Sequence, residues 1–213
     1  MPEKHITIYD RITPPVKKKV PKSIRKDIDR IIKETWKKNM HKDYYDCNML
    51  KEDSMKCCFY YHLRRKLSTI LKKYNLRIFT EYYVSELRYR ADIAIVQLDD
   101  DCSYGFLGDH VQDIIAIFEL KFHNTATDDV EATIRADITK IKNYIKTMDN
   151  GCQYYFTVIY EVECDKLFWM DGRSTTNWAV DRVTELVAGR MDGTTYFNVY
   201  SYNNMNKGLN TLY

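Results

Sequence analysis

Two stretches decide the fold of this chain: RADIAIV at residues 90–96 and IIAIFELKF at residues 114–122. Each is an apolar run rich in β-branched residues, which is typical of a buried strand. Yet the first contains Asp92, and the second contains Glu119 and Lys121. Because a charge buried without a partner is costly, we expect something to neutralise these groups. A divalent cation is the simplest candidate.

The spacing of the charges sharpens this expectation. Side chains alternate across a strand, so Glu119 and Lys121 point to the same face of the second strand. If the two strands pair, Asp92 comes close to both. Carboxylate oxygens suit Mg²⁺ or Mn²⁺, and such an ion can activate a water molecule and stabilise the charge that develops on phosphorus. Lys121 would then position that water or the phosphate oxygens.

Asp92, followed by Glu119-Leu120-Lys121 at the end of the next apolar strand, resembles the active-site motif of the PD-(D/E)XK nuclease superfamily. The resemblance covers roughly residues 50–160, whose expected order is helix, three strands, helix, strand. Ala91 stands where the family has a proline. The resemblance implies an α/β fold with a restriction-endonuclease-like core, in which helices flank a mixed central sheet. It also implies an endo- or exonuclease that depends on Mg²⁺ or Mn²⁺ and hydrolyses phosphodiester bonds.

The resemblance suggests a further metal ligand. In this family a glutamate on the first core helix often completes the metal site that the two strand carboxylates, here Asp92 and Glu119, begin. Glu52 is the best match to that glutamate, and Asp53 is the neighbouring alternative. An equally simple interpretation is that Glu52 only stabilises the N-terminus of its helix through the helix dipole.

Basic contacts to nucleic acid are also implied. In several branches of the family a lysine or glutamine on the second core helix reaches the phosphate, and Lys140 and Lys142 are both candidates for that role. Arg64 and Arg65 are further expected contacts. The 18 tyrosines could stack on unpaired bases beside a basic groove, although half-buried strand positions explain most of them more simply.

Charge is distributed unevenly along the 213 residues. Residues 1–90 carry 23 Lys and Arg against 11 Asp and Glu, a net charge of +12, whereas residues 91–213 carry 10 against 19, a net charge of −9. A basic half attracts a partner with a phosphate backbone, so we expect a nucleic acid partner. Of the two nucleic acids, we expect DNA more than RNA. A solvated basic face or tail is the alternative.

The expected organisation is a basic N-terminal arm and helix at residues 1–48, followed by a nuclease-like α/β domain at residues 49–213. Ser23 is the expected N-cap of the amphipathic helix in the first part. The elements expected after it are a long helix at about residues 49–74, strands at 76–84, 89–98 and 113–122, a helix at 130–145, a strand at 153–160, an amphipathic segment at 178–187 and a strand at 195–202.

Other sites have weaker support. Glu119 and Lys121 could form a solvated cross-strand pair. Residues 99–105 are acidic but lack the spacing of a calcium loop, so a solvated turn is expected there. Glu81 and Glu86 are acidic candidates that alternation does not place beside Asp92. A structural zinc is conceivable at a cluster within one stretch of the chain: His41, Cys47, Cys57, Cys58 and His62.

Composition limits the class of protein. No run approaches the ~20 apolar residues of a membrane span, and residues 1–13 lack the pattern of a signal peptide. The six cysteines form no CxxC pair, which favours free thiols in a reducing compartment. We therefore expect a cytoplasmic protein with no membrane partner.

Two alternatives to the nuclease stay open. One is a catalytically inactive nuclease-fold module that binds nucleic acid or a protein partner. The other is a small-molecule enzyme or structural protein whose basic face meets another polyanion. A homodimer is also open, because cutting both strands of a duplex ordinarily calls for two active sites.

Overall fold

A computed structural model of the protein describes residues 19–99, 106–124, 129–148, 151–165, 168–170 and 178–201. Its helices are α1 (Lys22–Glu34), α2 (His41–Tyr45), α3 (Glu52–Lys66), α4 (Ser68–Lys73) and α5 (Asp129–Thr147), with a π-helical segment (Thr35–Met40) between α1 and α2 and a 3-10 turn at Leu107–His110. Its strands are β1 (Leu76–Val84), β2 (Tyr89–Leu98), β3 (Val111–His123), β4 (Gln153–Glu163), β5 (Val183–Met191) and β6 (Thr194–Ser201).

The strands form one six-stranded mixed sheet in the order β1-β2-β3-β4-β5-β6. β1, β2 and β3 are antiparallel neighbours, β3, β4 and β5 are parallel, and β6 returns antiparallel to β5. Parallel neighbours need a crossover, and α5 supplies it between β3 and β4. The protein is therefore an α/β protein, as the sequence predicts.

Each face of the sheet has its own hydrophobic cluster. On one face, side chains of α1, the π-helical segment and α3 pack on the strands; they include Ile32, Trp36, Phe59, Leu63, Ile95, Phe118 and Leu120. On the other face, α5 packs on the strands through a second set, which includes Ile134, Ile141, Tyr144, Ala94, Ile117 and Phe156. The apolar run at 114–118 thus belongs to a central strand with both faces covered.

The predicted strands at 76–84 and 89–98 are confirmed at both ends. β3 and β4 contain the predicted strands at 113–122 and 153–160 and extend beyond them. The order helix, three strands, helix, strand is also present between α3 and β4. The prediction of one long helix at 49–74 is wrong in one respect. The segment forms two helices, α3 and α4, which are separated at the fully buried Leu67.

Local hydrogen bonds explain where these helices begin. The hydroxyl of Ser54 accepts the backbone N–H of Leu50 (2.9 Å) and of Lys51 (3.0 Å), so α3 starts at Glu52. Ser23 is not the N-cap of α1. Instead, the carbonyl of Pro21 accepts the N–H of Arg25 at 3.0 Å, and the helix is already under way at Lys22.

The amphipathic segment expected at 178–187 is a wrong prediction. Residues 183–187 belong to β5 and are buried, and residues 178–182 form the turn before it. Glu185, an acidic residue within this segment, is fully buried and accepts the N–H of Trp169 (3.0 Å) and of Met170 (2.7 Å). The strand expected at 195–202 is β6, and residue 202 lies outside the described residues.

Among the described helices, none combines the length and hydrophobicity that crossing a bilayer requires.

Candidate active site

The two strand carboxylates lie where β2 and β3 stop pairing. The last paired residues toward this end are Ile93 and Phe118. Just beyond them, Asp92 Oδ2 accepts the backbone N–H of Leu120 at 2.8 Å, so a side chain takes the place of the next ladder bond. Asp92 is thereby held beside the Glu119-Leu120-Lys121 segment, as the motif predicts.

Lys121 joins the helices on either side of this point. Its Nζ lies 3.1 Å from Asp137 Oδ2, on α5, and 3.5 Å from Glu52 Oε2, at the start of α3. α3 and α5 lie against opposite faces of the sheet. Lys121 contacts both helices because it lies at the end of the paired region of β2 and β3, where neither face of the sheet separates it from them. Glu52, the carboxylate predicted to complete the site, is therefore part of it.

Glu119 is the most deeply buried carboxylate of the group, with 1% of its side chain exposed. Lys140 Nζ donates to its Oε2 at 2.6 Å, and the Tyr144 hydroxyl donates to its Oε1 at 3.0 Å. Lys140 also lies 3.6 Å from Asp137 Oδ1. Both oxygens of Glu119 are thus satisfied by side chains of α5.

A second lysine holds Asp92. Lys56, one turn after Glu52 on α3, lies 2.9 Å from Asp92 Oδ1 and also pairs with Glu81 of β1. The β1–β2 ladder runs from Thr80↔Ile93 to Tyr82↔Ala91 and skips the pair between them, Glu81 and Asp92. At that break Glu81 has φ +54°, a left-handed backbone conformation that is strained for a glutamate and that glycine adopts freely.

The site is rich in negative charge. Five carboxylates face three lysines, so the network has a net charge of −2 when every member is ionised. The carboxylates are Glu52, Glu81, Asp92, Glu119 and Asp137, and the lysines are Lys56, Lys121 and Lys140. Asp137 Oδ2 is buried and accepts no hydrogen bond within the described part of the chain. Its 3.1 Å approach to Lys121 is an ion pair without hydrogen-bond geometry.

Burial and crowding shift the acidities. Burial raises the pKa of Glu119 to about 8; Asp92 and Asp137 add to the rise, and Lys140 opposes it. Burial also raises the pKa of Glu52, with Asp92 contributing and Lys121 opposing. For Lys121 and Lys140, burial lowers the pKa, but the adjacent carboxylates outweigh it and the net change is upward. The lysines therefore stay charged, and Glu119 ionises at a higher pH than an ordinary glutamate.

The structure brings together most of the predicted residues. Asp92, Glu119, Lys121, Glu52 and, of the two lysine alternatives, Lys140 lie in one network. Lys142 instead lies over the ring of Trp178, 5.9 Å from its centroid.

Other predicted residues lie outside the network. Asp53 pairs with Lys51 at 3.1 Å in an exposed position. Arg64 and Arg65 lie in the last turn of α3, where they donate to the hydroxyls of Tyr60 and Tyr61. Glu86 is exposed and accepts a hydrogen bond from Ser85.

Three members of the network are absent from the sequence-based prediction: Lys56, Asp137 and Tyr144. The signal for two of them is present in α5. Asp137, Lys140 and Tyr144 recur at steps of three and four, which makes a polar stripe beside the apolar one on the same helix. For Lys56 the signal is its place one turn after Glu52. Glu81 is an acidic candidate of the sequence that alternation does not place beside Asp92, and the structure brings both to Lys56.

The described side chains do not already have the arrangement of a metal site. In the described ranges, no group of three or more His, Cys, Asp or Glu side chains is arranged to hold a metal ion. The residues of the zinc alternative form no such group either, and His62 lies 2.7 Å from Asp43. Of the acidic segment 99–105, residues 100–105 lie outside the described residues.

Comparisons with known proteins add no relative. No family model, no curated protein and no solved structure matches this chain.

Proposed function

We propose that this chain is a metal-dependent nuclease that hydrolyses phosphodiester bonds, in DNA rather than RNA. The observation that carries the proposal is the meeting of Asp92, Glu119 and Lys121 at the point where β2 and β3 part, with Glu52 brought in by Lys121. Two carboxylates with a lysine beside them at a sheet end are the groups that metal-assisted phosphoryl chemistry uses.

The charge of the network supports a divalent cation. Once Glu119 has given up its proton, five carboxylates against three lysines leave a net charge of −2 in a largely buried place. An ion of charge +2 would offset that charge, and oxygen donors of this kind suit Mg²⁺ or Mn²⁺.

The donor chemistry fits such an ion, but two lysines must give way. Lys140 occupies Glu119 and Lys56 occupies Asp92. Lys140 is 30% exposed and has a long flexible stem, so it can turn toward solvent when a stronger cation takes its place. Asp92, Glu119 and Glu52 would then hold the ion.

A bound Mg²⁺ or Mn²⁺ would supply Lewis acidity and lower the pKa of its water. The remaining work falls to the chain itself. Lys121, which stays between Glu52 and Asp137, would orient the attacking water or steady a phosphate oxygen. Lys140, released from Glu119, would face the phosphate as the second-helix lysine of the resembled family does.

The fold is part of the same proposal. The restriction-endonuclease-like core that the motif implies has the element order found here between α3 and β4. The mixed sheet and the helices on both of its faces are compatible with that core. The charge asymmetry of the sequence supports a nucleic-acid substrate.

The test is cleavage of plasmid and single-stranded DNA in Mg²⁺ or Mn²⁺. Asp92→Asn, Glu119→Gln and Lys121→Met keep size and remove charge, and each is expected to reduce the rate at least ~100-fold. Glu131→Gln, an exposed acid of α5 that pairs with Arg135, is the control and should cleave as the natural protein does. Cleavage that survives all three site substitutions would refute the assignment.

A second candidate function is a module that binds nucleic acid or a protein partner without catalysis. The observation that favours it is that Lys56 and Lys140 already neutralise Asp92 and Glu119. Titration calorimetry with Mn²⁺ separates the two. Binding that is lost in Asp92→Asn supports the nuclease, whereas no heat of binding at millimolar Mn²⁺ supports the module.

A further inference from the structure

A cleft of about 490 Å³ opens between α3, α4 and β1, the strand at the edge of the sheet. Its volume is within the range of sites that bind small molecules or single nucleotides. It does not include the residues of the candidate active site.

The lining of the cleft is basic. Arg64, Lys72 and Arg77 line it, and no Asp or Glu among the described residues does. Within the described residues none of these three cations forms an ion pair, in contrast to Lys56, Lys121 and Lys140, which are all paired with carboxylates. Three cations around one cleft without a counter-charge favour an anionic ligand.

Two aromatic rings, Tyr60 and Phe79, also line the cleft. The Arg64 guanidinium lies 5.6 Å from the centroid of the Tyr60 ring and donates to its hydroxyl at 3.1 Å. A planar cation held against a ring offers a flat surface to an unpaired base and leaves its remaining N–H groups for a phosphate. Cations and aromatic rings in one groove are the combination that recognises single-stranded nucleic acid.

The cleft is next to the candidate active site. Lys56, Tyr60 and Arg64 follow one another at four-residue steps on α3, so they lie along one side of the helix, with Arg64 ~12 Å from Lys56 along the axis. On β1, Phe79 is two residues from Glu81, the partner of Lys56. A nucleic-acid strand that runs along this side of α3 from the candidate active site therefore reaches the cleft.

We propose that this cleft binds a segment of single-stranded nucleic acid, with Arg64, Lys72 and Arg77 on its phosphates and a base against Tyr60. The choice of ligand rests on the proposed function. The cleft would hold one part of the nucleic-acid substrate while a nearby phosphodiester of the same strand lies at Asp92 and Glu119. The binding itself needs neither metal nor catalysis.

The experiment measures binding of a fluorescent single-stranded DNA oligonucleotide in EDTA, where metal-dependent cleavage is absent. Combining Arg64→Ala, Lys72→Ala and Arg77→Ala should weaken binding at least ~10-fold at 0.15 M salt, and should reduce the slope of log affinity against log salt by about 2. Lys146→Ala, an exposed lysine in the last turn of α5, is the control and should leave both quantities unchanged. Circular dichroism of each variant verifies folding.

A second pair of variants tests stacking. Tyr60→Leu should remove the preference for the intact oligonucleotide over one with abasic sites, and Tyr60→Phe should keep it. The inference is overturned if the natural protein does not bind the oligonucleotide, if the triple variant binds as the control does, or if duplex binds as tightly with the same dependence on the three cations. Cleft-dependent binding without any cleavage in Mn²⁺ would instead refute the proposed function and leave the cleft assignment standing.

Discussion

Lys140 of α5 donates a 2.6 Å hydrogen bond to Glu119 of β3, at the centre of the candidate site. The carboxylate is buried, whereas the lysine is partly exposed. The pair therefore has a fixed member and a movable one. Lys140 acts as the internal counter-ion of the group that we propose as a metal ligand, and its loss has consequences that depend on pH.

Lys140→Met should destabilise the protein more at pH 9 than at pH 6. At pH 6 Glu119, whose pKa is raised to about 8, holds a proton and needs no counter-ion. At pH 9 it is ionised, and removal of its partner should cost about 1.5–3 kcal/mol in the free energy of unfolding. Urea unfolding at both pH values measures the difference, with Lys146→Met as the control. Equal losses at the two pH values would contradict the pairing.

Glu119→Gln should flatten the pH dependence of stability. The pKa of Glu119 is higher in the folded protein than in the unfolded chain, so its contribution is fully present below about pH 4.5 and is lost as the pH rises toward 8. That loss is about 1.4 kcal/mol for each pH unit over which only the unfolded chain is ionised. The natural protein should therefore lose stability between pH 5 and 8 relative to the glutamine variant. Parallel unfolding curves across this range would show that Glu119 is not the group responsible.

Metal affinity should rise with pH. Glu119 must give up its proton to bind an ion, so the affinity for Mn²⁺ should increase about tenfold for each pH unit below 8 and level off above it. Calorimetry in two buffers of different ionisation enthalpy would count the proton released. The release should be absent in Glu119→Gln. Affinity that does not change between pH 6 and 8 would exclude Glu119 as a ligand.

Backbone strain at Glu81 gives a prediction that does not involve metal. Glu81→Gly and Glu81→Ala both remove the carboxylate that pairs with Lys56, but only glycine adopts φ +54° without strain. Glu81→Gly should therefore be more stable than Glu81→Ala by about 1–2 kcal/mol. At Thr80, the preceding exposed strand residue, glycine should be less stable than alanine. Thermal or urea unfolding measures the stability of the four variants. If glycine is less stable than alanine at position 81 as it is at position 80, the backbone of Glu81 is not left-handed.

The residues that the sequence could assign are those whose role follows from local pattern. Asp92, Glu119 and Lys121 are recognisable because they interrupt apolar strands, and the paired strands bring them together. The bounds of β1 and β2 are equally local, and the structure confirms them at both ends. Alternation and turn chemistry suffice for this part of the fold.

The residues that the sequence could not assign depend on contacts between distant elements. From the sequence, Lys56 is an ordinary surface lysine of α3. Only the packing of α3 against the sheet places it beside Asp92 of β2. Lys140 is recognisable as a basic residue near the site, yet its attachment to Glu119 depends on how α5 packs over β3. Glu185 is the opposite case, because a charge that suggests exposure is buried and satisfied by two backbone N–H groups.

Crystals soaked in Mn²⁺ test the central claim most directly, because an anomalous difference map locates the ion without reference to activity. We predict a peak about 2.0–2.3 Å from carboxylate oxygens of Asp92 and Glu119, with the Lys140 ammonium moved off Glu119. A map with no peak there at saturating Mn²⁺, and with Lys140 still hydrogen-bonded to Glu119, would contradict the account.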